Sequence, residues 1–341
     1  MYTSLEICAG AGGQALGLEW AGFRHVAAVE NDHYACDTLR ANRDNEDIPP
    51  QERWNVLEKD VHDIDGRQFE GIDLLAGGVP CPPFSVAGRQ LGGEDDRDLF
   101  PKAMELVRDT RPKAVLLENV RGLGQPRFQQ YRESILHKLE FELGYKVMWQ
   151  MITSAHFGVA QLRPRFVLIG VRAEYWDYLS WPTPIHGNAV TVGEALYELM
   201  GANGWPGVDR WSVKANSIGP TLVGGSKKHG GPDLGPTRAR QTWAKLGVRG
   251  TSIAEEAPGP DFPIDESPRL TVQMGAVLQG FPENWRFIGG KTAAWRQVGN
   301  AFPPPVARAL GESIRNALDK KHVDKQAMVS AQDGEDCVLD I

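Results

Sequence analysis

Apolar positions along the chain switch repeatedly between a strand-like and a helical period. The run SLEICA ends in glycines after Ala9, and positions 14–20 then repeat their apolar residues at helical spacing. HVAAVE, ending at Glu30, and RWNVLEKD, ending at Asp60, read as the next two strands. IDLLAGG (72–78), free of polar side chains after Asp73, reads as a buried strand covered on both faces. LFPKAMELVRDT predicts a helix, and KAVLLENV a strand that delivers Glu118 and Asn119 at its end. Positions 126–143 predict a further helix, and YKVMWQMIT and RFVLIGV two more strands. Strands and helices in alternation predict an α/β fold built on a Rossmann-like, doubly wound sheet.

From about 173 to 266 the texture changes to Trp, Gly, Pro and cations with little periodicity, which predicts a separate, irregular region. Ser267-Pro268 then predicts a helix start, with a cap residue and proline at the first position, for RLTVQMGAVLQG. Gly299-Asn300 predicts a turn before a closing amphipathic helix, and the polar, aperiodic stretch from Val323 is expected to be disordered. The chain divides on this reading into 1–172 with 294–322, an inserted unit at 173–293, and a tail at 323–341. No internal repeats are present.

Three strand ends carry candidate chemistry. Gly10, Gly12 and Ala15 match a G-x-G-x-x-G/A turn, where small residues let the backbone approach a ligand at a helix N-terminus. Glu30, twenty positions after Gly10, stands where a carboxylate grips ribose hydroxyls, and Asp60 ends the third strand. A nucleoside-bearing cofactor is the simplest common ligand; the alternative makes Glu30 and Asp60 helix caps or surface acids. Pro80-Cys81-Pro82-Pro83 presents a thiol where a strand stops, because prolines disfavour a regular helix there. A packed, inert cysteine is the other reading of the same stretch. Glu118 is expected at the same sheet edge, as a proton carrier in a partly dry pocket or as a structural cap. Gln161, Arg163 and Arg165 alternate, so an extended segment points them to one face, where two guanidiniums suit phosphate or a carboxylate. Gly92, Gly93 and the charged run 94–98 read as a flexible lid.

Composition narrows the class. With 341 residues, 41% hydrophobic and 24% charged, the chain has room for a large α/β domain and a smaller one. It contains no run of about 18 apolar residues and no basic-then-apolar leader, so a cytoplasmic protein without membrane contact is expected. Cys8, Cys36, Cys81 and Cys337 lack CxxC spacing, which argues against a zinc site or a disulfide framework. No metal is expected. The net charge of -7 argues against nucleic acid, yet between 221 and 250 Lys227, Lys228, Arg238, Arg240, Lys245 and Arg249 face only Asp233. A locally positive surface can therefore exist on an acidic protein, although a solvated loop would show the same pattern.

Taken in order, these motifs resemble the cytosine-C5 DNA methyltransferase family. The resemblance rests on AGAGG, the Glu30 and Asp60 strand ends, Pro80-Cys81 with Phe84-Ser85, Glu118-Asn119-Val120, Gln161-x-Arg163-x-Arg165, RLTVQMGAVLQGFP, and Gln297-x-Gly299-Asn300. It implies an S-adenosyl-L-methionine-dependent enzyme of prokaryotic restriction-modification type, paired with an endonuclease and acting as a monomer on double-stranded DNA. Cys81 would add to cytosine C6, Glu118 would act at N3, and Arg163 and Arg165 would hold the flipped nucleotide. Ala9, Gly10, Gly12, Gly13, Glu30, Asn31, Asp60, Val61, Pro80, Leu99, Asn300 and Ala301 would surround the cofactor, and Asn119 would brace the Cys81 loop. Ser85, Arg89 and Arg97 would close over DNA. Residues 173–293 would recognise the target through Thr221 of the Thr221-Leu222 pair, Lys227, Lys228, Arg238 and Arg240.

Two departures from the family stand out. Cys8 replaces an aromatic expected against the cofactor, with Trp20 or Phe302 as substitutes, and Pro82 replaces a glutamine. Three other readings compete. A tRNA-methylating branch of the same fold carries a Cys-Phe-Thr signature, and this chain has no cysteine between Cys81 and Cys337. A dinucleotide-dependent oxidoreductase leaves Cys81, Glu118 and the arginines without a joint purpose. A non-catalytic DNA-binding relative has no need of Cys81 together with Glu118.

Overall fold

The computed structural model describes residues 1–43, 54–80, 98–185, 189–225 and 231–321. Cys81, Ser85, Arg89, Arg97, Lys227, Lys228, the glycines and charged run at 92–97, and the tail from 323 lie outside the described residues. Along the chain come β1 (Tyr2–Ile7), α1 (Gly13–Trp20), β2 (Phe23–Glu30), α2 (His33–Arg43), β3 (Val56–Glu58), β4 (Leu74–Gly78), α3 (Phe100–Thr110) and β5 (Ala114–Val120). They are followed by α4 (Gln129–His137), β6 (Tyr145–Thr153), β7 (Pro164–Arg172), α5 (Val192–Gly201), α6 (Val208–Lys214), α7 (Thr237–Lys245), α8 (Val272–Leu278), α9 (Lys291–Asn300) and α10 (Pro304–Leu318).

The strands form one seven-stranded sheet in the order β3-β2-β1-β4-β5-β7-β6. The first five are parallel, and β7 runs antiparallel to both β5 and β6. The alternation of side chains across a strand sorts the core into two layers. Leu75, Val115, Leu117 and Leu168 face one layer with α3, whereas Leu74, Ala114, Leu116, Val167 and Ile169 face the other with α10. The two helices on that second face cross closely because of glycine. A Cβ on Gly17 would lie 2.2 Å from the Pro304 carbonyl oxygen, and one on Gly311 would lie 2.7 Å from the Ala21 Cβ.

Several sequence expectations are corrected. The third strand is only Val56–Glu58 and stops short of Asp60, which instead caps a short 3-10 turn. Positions 126–143 form three pieces: a 3-10 turn, α4 and a π-helical turn at Lys138–Glu142. Gly299-Asn300 is no turn but the last part of α9, a helix the sequence reading omitted. Ser267-Pro268 does not start α8. Backbone groups of Pro268 and Leu270 bond to Arg249 and Ala254, so this stretch is tied to a neighbouring loop and Thr271 caps the helix instead.

The stretch 173–266 is also less irregular than its texture suggests, since it holds α5, α6 and α7. Its core gathers Leu196, Trp205, Trp211, Leu222 and Trp243, and takes in Trp295 from α9. A few indoles bury the area that regular periodicity would otherwise supply, with the N–H of Trp205, Trp211 and Trp295 each donating to a main-chain carbonyl. None of the helices among the described residues is long and apolar enough to cross a membrane.

The α1–α10 crossing gives the first expectation. Gly17→Ala should lower stability by about 1–3 kcal/mol through overpacking, read as an earlier midpoint in urea. Gly259→Ala, where a Cβ meets nothing within 4 Å, should leave that midpoint in place.

Candidate active site

The site begins in the turn after β1. Cys8, Gly10 and Gly12 all take positive φ, at 52°, 53° and 87°, so the chain reverses within five residues before α1 starts. A Cβ on Gly13 would lie 2.1 Å from the Phe302 carbonyl oxygen, whereas one on Gly10 would meet no protein atom within 4 Å. The first glycine is required by packing; the second faces open space.

Glu30, at the end of β2, binds this turn. One carboxylate oxygen accepts from the Gly10 N–H at 2.8 Å, and the other from Asn31 and Asp32 at 2.9 and 2.8 Å. Asp60 accepts from the His62 N–H at 2.9 Å. The capping role considered for the two acids holds for Asp60, whereas Glu30 binds backbone N–H groups outside the helices, and both line a cavity of about 590 Å³ at the C-terminal ends of the parallel strands. Of the twelve positions expected around a cofactor, only Gly12 and Gly13 stand behind its wall.

Glu118 and Arg165 close one side of the same cavity. The register places Glu118 beside Gly78 on β4 and Arg165 opposite Val120 on β5. Arg165 Nε lies 2.6 Å from Glu118 Oε1, with the two side chains only 11% and 12% exposed. An ion pair this dry fixes the direction of the carboxyl group. The chain leaving β4 is held by the Val79 N–H donating to the Glu118 carbonyl at 3.1 Å and by Asn119 Nδ2 donating to the Val79 carbonyl at 2.7 Å. Asn119 thus braces the main chain that leads through Pro80 to Cys81.

Arg163 departs from expectation. Strand β7 begins at Pro164, and Arg163 itself has a φ of 34°, so the alternation that would align it with Arg165 is broken. Its fully buried guanidinium donates to the carbonyls of Leu222, Gly299 and Ala301 at 2.9, 2.9 and 2.7 Å. Burial pulls its proton affinity down, Arg165 adds repulsion and Glu118 opposes both. Arg163 does not line the cavity; it ties the cavity wall to the Trp-rich region. Gln161 also points there, donating to the Leu278 carbonyl and accepting from the Leu222 N–H. Thr221 precedes that joint, and Arg238 and Arg240 sit on α7, away from the cavity.

Cys8 lines the cavity, and its thiol is pushed far up by burial, with the charges of Glu30, Glu6 and Asp60 adding to the effect. It is an uncharged wall atom, not a nucleophile. Phe302 lines the cavity and Trp20 does not, so Phe302 is the aromatic placed to stand in for the missing ring. The sequence reading missed Glu6, Gln14, Asp32 and Arg296, which also line it. A charged residue inside SLEICA was the available signal for the first; Arg296 belongs to the omitted helix.

The cavity wall carries five acids, Glu6, Glu30, Asp32, Asp60 and Glu118, against Lys59, Arg165 and Arg296. That excess, the open space above Gly10 and the paired strand-end acids fit a nucleoside ligand with a cationic end. Fold and site together define an S-adenosylmethionine-dependent methyltransferase. The chain belongs to the C-5 cytosine-specific DNA methylase family, whose model matches residues 2–316. It is 51% identical to the type II methyltransferase M.NaeI of Lentzea aerocolonigenes over 92% of this chain and 75% of that one. It is 48% identical to M.NgoMIV of Neisseria gonorrhoeae over 94% and 99%. A solved structure of an Escherichia coli prophage-encoded putative DNA modification methyltransferase shares the fold, with a TM-score of 0.65 at 23% identity over 94% of this chain and all of that one. The protein is a DNA cytosine-5 methyltransferase.

The joint yields the second expectation. Arg163→Ala removes the donor from three buried carbonyls and should cost about 1–3 kcal/mol for each that stays unpaired. Calorimetry should also show weaker S-adenosylhomocysteine binding, although the side chain is outside the cavity. A residue that only gripped a nucleotide would alter the KM for DNA and leave both readouts unchanged.

Proposed function

We propose that this enzyme methylates C5 of a cytosine flipped out of a specific duplex DNA site, with Cys81 as the nucleophile and Glu118 acting at N3. The observation that carries the assignment is the shared cavity edge, where Pro80 and the Glu118–Arg165 pair meet the proposed cofactor wall. S-adenosylmethionine bound there supplies an electrophilic methyl group. The Cys81 thiolate would add to C6 of the ring while a proton is delivered to N3 through Glu118, whose carboxyl group Arg165 aims, neutralising the charge that moves there. C5 would then take the methyl group, leaving S-adenosylhomocysteine, and loss of the C5 proton to a base with expulsion of the Cys81 thiolate would restore the pyrimidine.

Glu30 has roughly four acceptor sites and gives three to backbone N–H groups, which leaves one on Oε2 for a ribose hydroxyl. Asp60 would meet the adenine amino group, and Asn300 with Ala301 the amino-acid end. Residues 173–293 are the proposed target-recognition part, in which Lys227, Lys228, Arg238 and Arg240 face DNA in the major groove or along the phosphates. Ser85, Arg89 and Arg97 belong to the proposed DNA-closing segment. The protein is proposed to act as a cytoplasmic monomer that shields host DNA from a cognate endonuclease.

Bisulfite sequencing of DNA from a host expressing the protein should show one methylated cytosine context. Cys81→Ser should abolish the signal while the protein stays folded, and Glu118→Gln should lower kcat by about 10²–10⁴. Methyl transfer to tRNA with none to duplex DNA would overturn the substrate assignment.

A further inference from the structure

Glu6 lies one residue before the C-terminal end of β1, flanked in register by Ala28 on β2 and Ala76 on β4. The small neighbours leave room for its side chain, which is fully buried and lines the cofactor cavity from below. Among the described residues both carboxylate oxygens are shut off from solvent and meet no hydrogen-bond donor, and the amide of Gln14 on α1, in the same wall, has no partner there either. An ionised carboxylate in that position would cost several kcal/mol uncompensated. Burial alone holds Glu6 well above the usual carboxylate range.

The groups around it do not supply a counter-charge. Just past β1, Cys8 is a buried thiol whose proton affinity is pushed up, and β4 carries no titratable residue. On β2, Glu30 is an acid and His25 is pulled down to about 4 by burial, hence neutral. Asp60 follows β3, and Glu19 on α1 is pushed up to about 7 by burial. Arg165 is paired with Glu118 and Arg296 with Asp32, while Lys59 stands exposed at the cavity mouth. The charge that suits Glu6 is the one that the cofactor brings.

We propose that Glu6 is a proton-linked counter-ion of the cofactor cavity: an uncharged acid in the cofactor-free protein, it ionises when the cationic end of S-adenosylmethionine arrives. The proton leaves for solvent, and Gln14 supplies a dipole to the same polar floor. The sign follows from linkage. Binding favours the deprotonated form, so affinity rises with pH until Glu6 is ionised in the free protein as well, and is flat above that.

Titration calorimetry of the full chain, in two buffers of different ionisation enthalpy between pH 5.5 and 7.5, reads the proton directly. S-adenosylmethionine should release up to one proton per site and tighten by up to tenfold per pH unit. 5′-Methylthioadenosine, which has no cationic end, should release none from Glu6. Glu6→Gln, which matches the shape of the neutral acid, should remain folded and lose the release and the pH slope; Glu6→Asp should restore the release. Equal release from wild type and Glu6→Gln, or from the charged and uncharged ligands on wild type, would overturn the linkage. Absence of any saturable S-adenosylmethionine binding would instead sink the assignment of the cavity, a separately readable failure.

Discussion

The fold's central joint is a fully buried cation, the Arg163 guanidinium, whose two terminal nitrogens donate to three main-chain carbonyls. Its donors reach Leu222 in the Trp-rich region and, almost eighty residues further on, Gly299 at the end of α9 and Ala301 between α9 and α10. Burying a guanidinium without a carboxylate is costly, and the arrangement persists because convergent carbonyl dipoles replace the lost hydration. Asn300 and Ala301 of the cavity wall hang on the same joint. Cavity wall and Trp-rich region therefore share one anchoring point, and loosening it would disturb both.

The sheet placed the chemistry where parallel strands end. β1, β2, β4 and β5 all deliver residues at one edge, and antiparallel β7 begins at that edge. Arg165, near the start of its strand, can thus lean on Glu118, near the end of its own. A fully parallel sheet would have put these two residues at opposite rims.

Much of this was readable from residue order. Strand-end residues Glu30 and Glu118, the glycine turn and α10 follow from short-range patterns that leave a local trace. The failures have physical causes. α9 was hidden because Gly290, Gly299 and the Trp-rich surroundings mask its period, and Gly299 is small because Gly224 presses on it, with a would-be Cβ 2.2 Å from the Gly224 nitrogen. α5 carried a legible signal that was passed over, the Thr191–Glu194 capping box. Arg163 was misplaced since strand periodicity says nothing about a residue one step before the strand, where a positive φ turns it inward. Glu6 was overlooked for a related reason: a lone acid in a strand is visible, but its lack of a partner is a property of three dimensions.

The packing of α10 on α1 has a consequence for synthesis. The apolar face made by Leu18, Phe23, Leu74 and Leu116 is completed by Val306, Leu310 and Ile314, which a ribosome adds almost three hundred residues after the first of them. A nascent chain must therefore carry an uncovered hydrophobic flank through translation of the whole intervening region. The growing polypeptide is most vulnerable to aggregation just before its last helix emerges.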